Sequence, residues 1–267
     1  VVTLKSPREI EKMRRSGKIT SRVLTQLMHA VRPGITTAEL DEMAEREIRA
    51  AGGIPTFKGY NGFAASICAS VNDEVVHGIP GSRVLHEGDL LSIDIGTTLD
   101  GYVSDSAVTV PVGTVSEEAR RLLQVTQECL TIGIAQMRPG RRLGDIGASV
   151  QAHAEENGYG VVRELVGHGV GQAMHEEPQV PNYGTAGTGL ELRPGLVLAI
   201  EPMITQGSPK VKILGDGWTV VTADGKLAAH FEHTIAVTED GPKILTLRDH
   251  AEDPGVEAYR AQTEAIA

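Results

Sequence analysis

The chain has 267 residues, 40% of them apolar and 22% charged, enough for one large domain with a sizeable core. Lys plus Arg number 25 against 35 Asp plus Glu, a formal charge of −10, and this acidity speaks against nucleic-acid binding, which needs clustered positive charge. No apolar run approaches the roughly 18–20 residues of a membrane span. The start, VVTLKSPREI, lacks the apolar stretch of a signal peptide, and Cys68 and Cys129 are too few for a disulfide framework, so a cytoplasmic protein is expected.

Ser6-Pro7-Arg8-Glu9 reads as a helix-capping box with Pro at the first helical position. Behind it Ile10, Met13, Val23, Leu24, Leu27 and Met28 recur at helical spacing as far as Arg32-Pro33-Gly34. A second helix is predicted from Thr36/Thr37 through Leu40, Met43 and Ile48 to the Gly52-Gly53 stop. Within residues 84–112, LLSIDIG and YVSDSAVTV alternate as strands do, around a Leu99-Asp100-Gly101 turn. Helical spacing returns at Ser116–Met137 and at about 143–157. From Val161 short apolar strands alternate with Gly- and Pro-rich loops. The acidic segment 249–267, broken by Pro254-Gly255, is expected to be a loosely ordered tail.

The two halves of residues 1–248, divided at about 115/116, resemble each other. MHAVRPGITTAELDEMAEREIRAAGG parallels IAQMRPGRRLGDIGASVQAHAEENG, and Val76-His77-Gly78-Ile79 echoes Gly167-His168-Gly169-Val170. Gly88–Asp94 echoes Gly195–Glu201, and Asp105–Val110 echoes Glu232–Val237. Four echoes in the same order imply an internal duplication and a single pseudo-twofold α/β domain. The echoes match carboxylate with carboxylate and His77 with His168.

Those carboxylates interrupt apolar strands. With Leu99-Asp100 at the turn, Asp94 lies opposite Asp105; with Asp100-Gly101 there, it faces Ala107 and Asp105 becomes a diagonal neighbour. Strand parity puts both acids on one face in either register, about 5–7 Å apart. Such a pair repels unless a shared proton, an arginine or, best, a divalent cation joins it. Glu201 in LVLAIEPM and Glu232 in AHFEHTIAV repeat the situation, and Pro202 ends a strand so that Glu201 stands at its tip. One acid in a strand is usually a solvated surface group, but four in apolar segments are not. His168, flanked by glycines in VGHGVG, adds an imidazole, and His175 follows seven residues later. One His with four acids suits two oxygen-preferring divalent ions, not a structural zinc site, and favours metal-assisted hydrolysis.

The motifs VNDEVVHGIP, SIDIG, YVSDSAV, GHGVGQAMHEEP, AIEPM, DGWTV and HFEHT, in this order over about residues 3–247, resemble those of the type I methionine aminopeptidases. The resemblance implies the α/β (α+β) pita-bread fold, two pseudo-twofold halves with antiparallel sheets backed by helices. It implies two divalent cations (Mn, Fe, Co or Zn), with Asp94 chelating one, Asp105 and Glu232 bridging both, and His168 and Glu201 completing the other. A hydroxide held between them would attack the first peptide carbonyl, Glu201 would carry the proton, His175 would stabilise the tetrahedral intermediate, and His77 would contact the substrate backbone or the leaving nitrogen. Tyr60, Phe63, Cys68 and Trp218 fall where the family lines its methionine cavity. Met174 stands where many type I members carry an aromatic residue, so a roomier wall is expected there. Glu201 and Glu232 are only 31 residues apart, which leaves no room for the long insertion of type II.

The partner expected is a peptide or nascent-protein N-terminus, with ribosome proximity conceivable for such a substrate. Neither nucleic acid nor membrane is expected as a partner, and a monomer suffices. The rival readings are a proline-directed aminopeptidase or dipeptidase on the same fold and a non-catalytic binding protein. The first is disfavoured by Met203 after Glu201-Pro202, the second by retention of all five ligands together with His77 and His175.

Overall fold

Helix starts follow the local chemistry. Ser6 accepts from the Glu9 amide while the Glu9 carboxylate accepts from the Ser6 amide, and Pro7 opens helix α1 (Pro7–Ala30). The same reciprocal box, Thr36 with Glu39, starts α2 (Thr37–Ala50), and the Ser116 hydroxyl caps α3 (Glu117–Ala135). At α4 (Leu143–Glu156) the Asp145 carboxylate reaches back to the Arg142 amide. The structure is a computed structural model and describes residues 1–248; the expected acidic tail lies outside the described residues.

A four-stranded sheet places β4 (Leu90–Leu99) between β1 (Ile54–Pro55) and β2 (Ile67–Val71), with β5 (Tyr102–Pro111) also paired to β4. The β4–β5 turn uses Asp100 and Gly101 at φ 49° and 77°, conformations that Gly adopts freely and Asp tolerates. Of the two registers open from the sequence, this is the one in which Asp94 pairs with Ala107 and Gly96 with Asp105. In the second half a five-stranded sheet runs β15 (Gly241–Ile244), β14 (His233–Thr238), β9 (Val197–Ile200), β7 (Gly167–Gly169), β8 (Glu176–Val180). Two three-stranded sheets complete the fold. One joins β13 (Ala228–His230), β10 (Met203–Thr205) and β6 (Gly160–Val161); the other joins β11 (Val211–Ile213), β12 (Val220–Thr222) and β3 (Glu74–Val76). All pairings in these sheets are antiparallel.

Helices α1 and α2 back the first sheet, α3 backs β9, β10 and β13, and α4 packs on α3, β6 and β8, with one apolar cluster running through both layers from Leu24 and Leu40 to Ile146 and Ile235. Close approach of α1 to the hairpin rests on small residues. Ser16 donates to the Thr97 carbonyl at 2.7 Å, and Ser104 lies 3.0 and 2.8 Å from the Ser16 and Thr20 hydroxyls.

The halves are stitched along β5. Ala107 and Glu232 exchange backbone hydrogen bonds in both directions. Buried Thr234 accepts from the Asp105 amide at 2.9 Å and donates to the Asp105 carbonyl at 2.8 Å. Thr109 donates to the His230 carbonyl and accepts from its amide. Residues 105–109 of one half thus run beside 230–234 of the other, a seam in which buried hydroxyls pair backbone groups of both segments.

Thr234→Val keeps the shape of that side chain but strands the Asp105 amide and carbonyl. The expected loss is about 1–3 kcal/mol, read as a lower urea midpoint at unchanged m-value; an unchanged midpoint would show that the seam is not held by this hydroxyl.

Candidate metal centre

The seam decides where the acids go. Asp94 projects from mid-β4, and the observed register makes Asp105 its diagonal neighbour on the same face. Glu232 occupies the break between β13 and β14, held to Ala107. Glu201 directly follows β9, where Pro202 stops the strand, and His168 on β7 pairs with Ala199 of β9. Candidate ligand atoms of Asp105, His168 and Glu232 lie within 4.8 Å of one another. His168 Nε2 lies 3.5 Å from Glu201 Oε1 and 3.7 Å from Asp105 Oδ2. All five expected ligands line one cavity of about 270 Å³. Glu201 stands just past the end of β9, at the strand tip expected from Pro202, whereas Glu232, expected within a strand, sits at the break between β13 and β14.

Burial raises these carboxyls together. Asp94 and Glu201 are pushed up to about 7, while Asp105 and Glu232 rise well above the usual carboxylate range. Loss of solvent is the largest cause in each, and for Asp105 and Glu232 the neighbouring carboxylates add to it. Asp94 Oδ1, Asp105 Oδ1 and Glu232 Oε1 are buried without a hydrogen-bond partner, and no Lys or Arg lines the cavity among the described residues. Converging oxygens that lack donors are the arrangement a hard divalent cation satisfies. The imidazole is oriented for the same purpose: His168 Nδ1 lies 2.9 Å from the Gly169 carbonyl, so its proton sits there and Nε2 presents a lone pair to the carboxylates. Burial also pushes the His168 pKa down, which keeps the ring neutral as a ligand must be.

His230 escaped the sequence reading. It is 1% exposed, its Nε2 lies 3.6 Å from Glu201 Oε2, and neither ring nitrogen has a hydrogen-bond partner. The signal available was its i, i+2 relation to Glu232 in an extended segment, which puts both on one face. Met203 and Leu165 also line the cavity and were likewise not foreseen as lining residues.

Above this floor the cavity is walled by the residues expected for a side-chain pocket: Tyr60, Phe63, Cys68, Met174 and Trp218, joined by Phe57. Phe63 meets Trp218 edge-on at 5.1 Å between ring centres. Asp216 fixes the Trp218 and Thr219 amides in the β11–β12 turn and so holds the indole in place. His77 and His175 border the same space. His77 is held in the left-handed region at φ 60°, and burial pushes its pKa down to about 4, so its ring is neutral. His175 Nδ1 lies 2.8 Å from the Tyr60 hydroxyl, and its ring packs 4.3 Å from that of His168.

The pattern of Metallopeptidase family M24 matches residues 11–239. The chain belongs to this family. It is 55% identical to methionine aminopeptidase 1 of Bacillus subtilis over 92% of its own length and 99% of that protein. It matches the crystal structure of methionine aminopeptidase from Thermotoga maritima with a TM-score of 0.91 and 45% identity, covering 92% of this chain and 99% of the other. Prolidase from Pyrococcus furiosus shares the fold at a TM-score of 0.74 and 21% identity, with 92% of this chain and 66% of that one covered. The pita-bread fold and the metallo-exopeptidase class read from the motifs are borne out, and a divalent-metal cofactor follows from the family.

Burial lowers the pKa of His77, His168, His175 and His230. In the unfolded chain these rings are about half protonated near pH 6.5 and lose those protons by about pH 8, so they oppose the carboxyls over this range by roughly half a proton each and only partly offset them. The four raised carboxyls still hold protons that the unfolded chain has lost, and stability therefore falls as pH rises through about 7. Metal-stripped protein should melt lower at pH 8 than at pH 6.5, and saturating Mn²⁺ should raise the melting temperature more at pH 8. Equal Mn²⁺ shifts at both values would contradict this electrostatic account.

Proposed function

We propose that this enzyme is a methionyl aminopeptidase that removes the N-terminal methionine of peptides and nascent proteins whose second residue is small. The observation that carries the reading is the convergence of four acids, Asp105 and Glu232 buried and Asp94 and Glu201 partly so, with one neutral imidazole at the floor of a pocket walled by Tyr60, Phe63, Cys68, Met174 and Trp218. An apolar, partly aromatic wall with a cysteine and a methionine in it suits a flexible thioether. Identity of 55% to a methionine aminopeptidase supports the same reading.

Asp94, Asp105, His168, Glu201 and Glu232 would hold two divalent cations. Bound there, such ions supply a water acidic enough to attack at neutral pH and polarise the scissile carbonyl. Glu201, with its side chain 13% exposed to the cavity, takes the proton of the attacking water and delivers it to the leaving amine nitrogen. Tyr60 Oη lies 2.8 Å from His175 Nδ1; with the phenol as donor, the ring proton resides on Nε2 and is donated to the oxygen that gains charge in the transition state. Neutral His77, edge-on to Trp218 at 6.4 Å, contacts the substrate backbone or the leaving nitrogen without adding charge to the site. The reading also includes a cytoplasmic monomer acting near the ribosome, where unprocessed N-termini emerge. Residues 1–248 form its single catalytic domain.

Glu201→Ala removes a ligand and the proton carrier at once and should lower kcat/KM at least about 100-fold. His175→Ala should lower kcat about 100-fold while leaving metal content unchanged. With metal restored after chelation, Met-Ala-X peptides should lose methionine while Met-Leu-X and Ala-Pro-X stay intact. Release of residues ahead of proline would assign the enzyme to the prolidase-like branch instead, and near-wild-type turnover by Glu201→Ala would remove the mechanism.

A further inference from the structure

The loop between β7 and β8 carries Met174 and His175, and a contact far away in sequence holds it. Glu176, the residue after His175, gathers four donors on one carboxylate. Its Oε1 accepts from the Gln172 and Ala173 amides at 2.9 and 3.2 Å. Its Oε2 accepts from Lys5 Nζ at 2.6 Å and from the Thr3 hydroxyl at 3.0 Å. Lys5 Nζ donates to Thr3 Oγ1 as well, at 2.7 Å, and the Lys5 side chain is only 6% exposed. The Lys5 backbone is anchored in turn, its amide donating to the Gly195 carbonyl at 2.6 Å. Gly171 makes room for the contact, since a Cβ there would stand 2.5 Å from Glu176 Oε1 and 2.7 Å from Lys5 Cε. A second tie runs beside the first: Tyr102 donates to Glu9 in the α1 cap at 3.1 Å and accepts from the Gln172 side chain at 3.3 Å.

A nearly buried ammonium is costly unless paired, and an apolar residue would fill the same space with less desolvation. What the ion pair adds is direction, since it fixes the carboxylate that in turn fixes the two amides opening the turn into Met174-His175. Tyr60 holds the far side of the His175 ring. We propose that Lys5 is a positioning residue that, through Glu176, latches the loop so that His175 is set against the metal floor. The latch rests on the role given to His175 above.

The test uses Mn²⁺-loaded enzyme and the variants Lys5→Met, Lys5→Arg, Glu176→Gln and the Lys5→Met/Glu176→Gln double. Lys5→Met should lower kcat on a Met-Ala peptide at least about tenfold, with KM changed less than about threefold. The double should lose no more than the worse single, as partners in one contact do. Lys5→Arg should retain most of the activity, and Mn²⁺ affinity measured by calorimetry should stay within about twofold. Hydrogen exchange of the amides at 170–176 should quicken in Lys5→Met and stay at wild-type rate in Lys5→Arg. Wild-type kcat in folded Lys5→Met, additive losses in the double, or loss of Mn²⁺ affinity would each overturn the latch. Should Lys5→Met not fold, Thr3→Val, which removes only the exposed hydroxyl from Glu176, should still quicken loop exchange; unchanged exchange there would overturn it too. The exchange readout needs no turnover, so it decides the latch even if the wild-type enzyme releases no methionine.

Discussion

Four carboxyl groups facing one small cavity cannot all ionise at neutral pH without positive charge among them. Coulomb repulsion across a few ångströms, in a medium that screens far less than water, acts against the fold itself. Asp94 and Glu201 rise to about 7 and the other two higher, so without cations the site keeps protons that free carboxylic acids would have lost. Most of the neighbouring architecture concerns this tension. The seam between β5 and residues 230–234 holds Asp105 beside Glu232 by backbone and hydroxyl hydrogen bonds, none of which uses their carboxylate oxygens. Those oxygens are therefore left for a cation.

The histidines divide the labour by what occupies Nδ1. In His168 it is committed to a backbone carbonyl, which makes Nε2 an acceptor; in His175 it meets a phenol that can donate, which makes Nε2 a donor. Both pKa values are lowered, with burial the largest cause. Neutral rings let one imidazole accept and the other donate, a distinction that protonation would erase.

Helix starts were legible because caps are local: the Ser6–Glu9 box was present as spelled, and the start expected at Thr36/Thr37 is a second box, Thr36 with Glu39, also three residues apart. The shared face of Asp94 and Asp105 was legible for a similar reason, since strand parity survives either turn. The register was not, because Leu99-Asp100 and Asp100-Gly101 both preserve that parity and only the positive φ at Asp100 and Gly101 separates them. His230 was hidden for want of a partner to point to it. The Lys5–Glu176 pair was illegible altogether, joining residues 171 apart through a side-chain contact with no periodicity. The family's motifs supplied the site's membership, whereas its protonation pattern emerged only from burial and distance.

Positions that correspond between the two halves of the sequence sit in different local structures. Asp94 and Glu201 correspond in the repeat, yet Asp94 sits mid-strand and Glu201 just beyond a strand end. Both carboxyls nevertheless line the same cavity. His77 and His168 correspond too, but they have diverged further. His168 stays in β7, in register with β9 and at a register shift against β8, while His77 lies just after β3 in a left-handed conformation, and Gly78 after it lies so close to β2 that a Cβ would meet the Ala69 carbonyl at 2.4 Å. The His77 ring lies edge-on to Trp218, with 6.4 Å between ring centres. One imidazole is thus kept at the acidic floor and its counterpart is moved to the apolar wall. The backbone conformation of a single residue separates a position suited to binding metal from one suited to binding peptide.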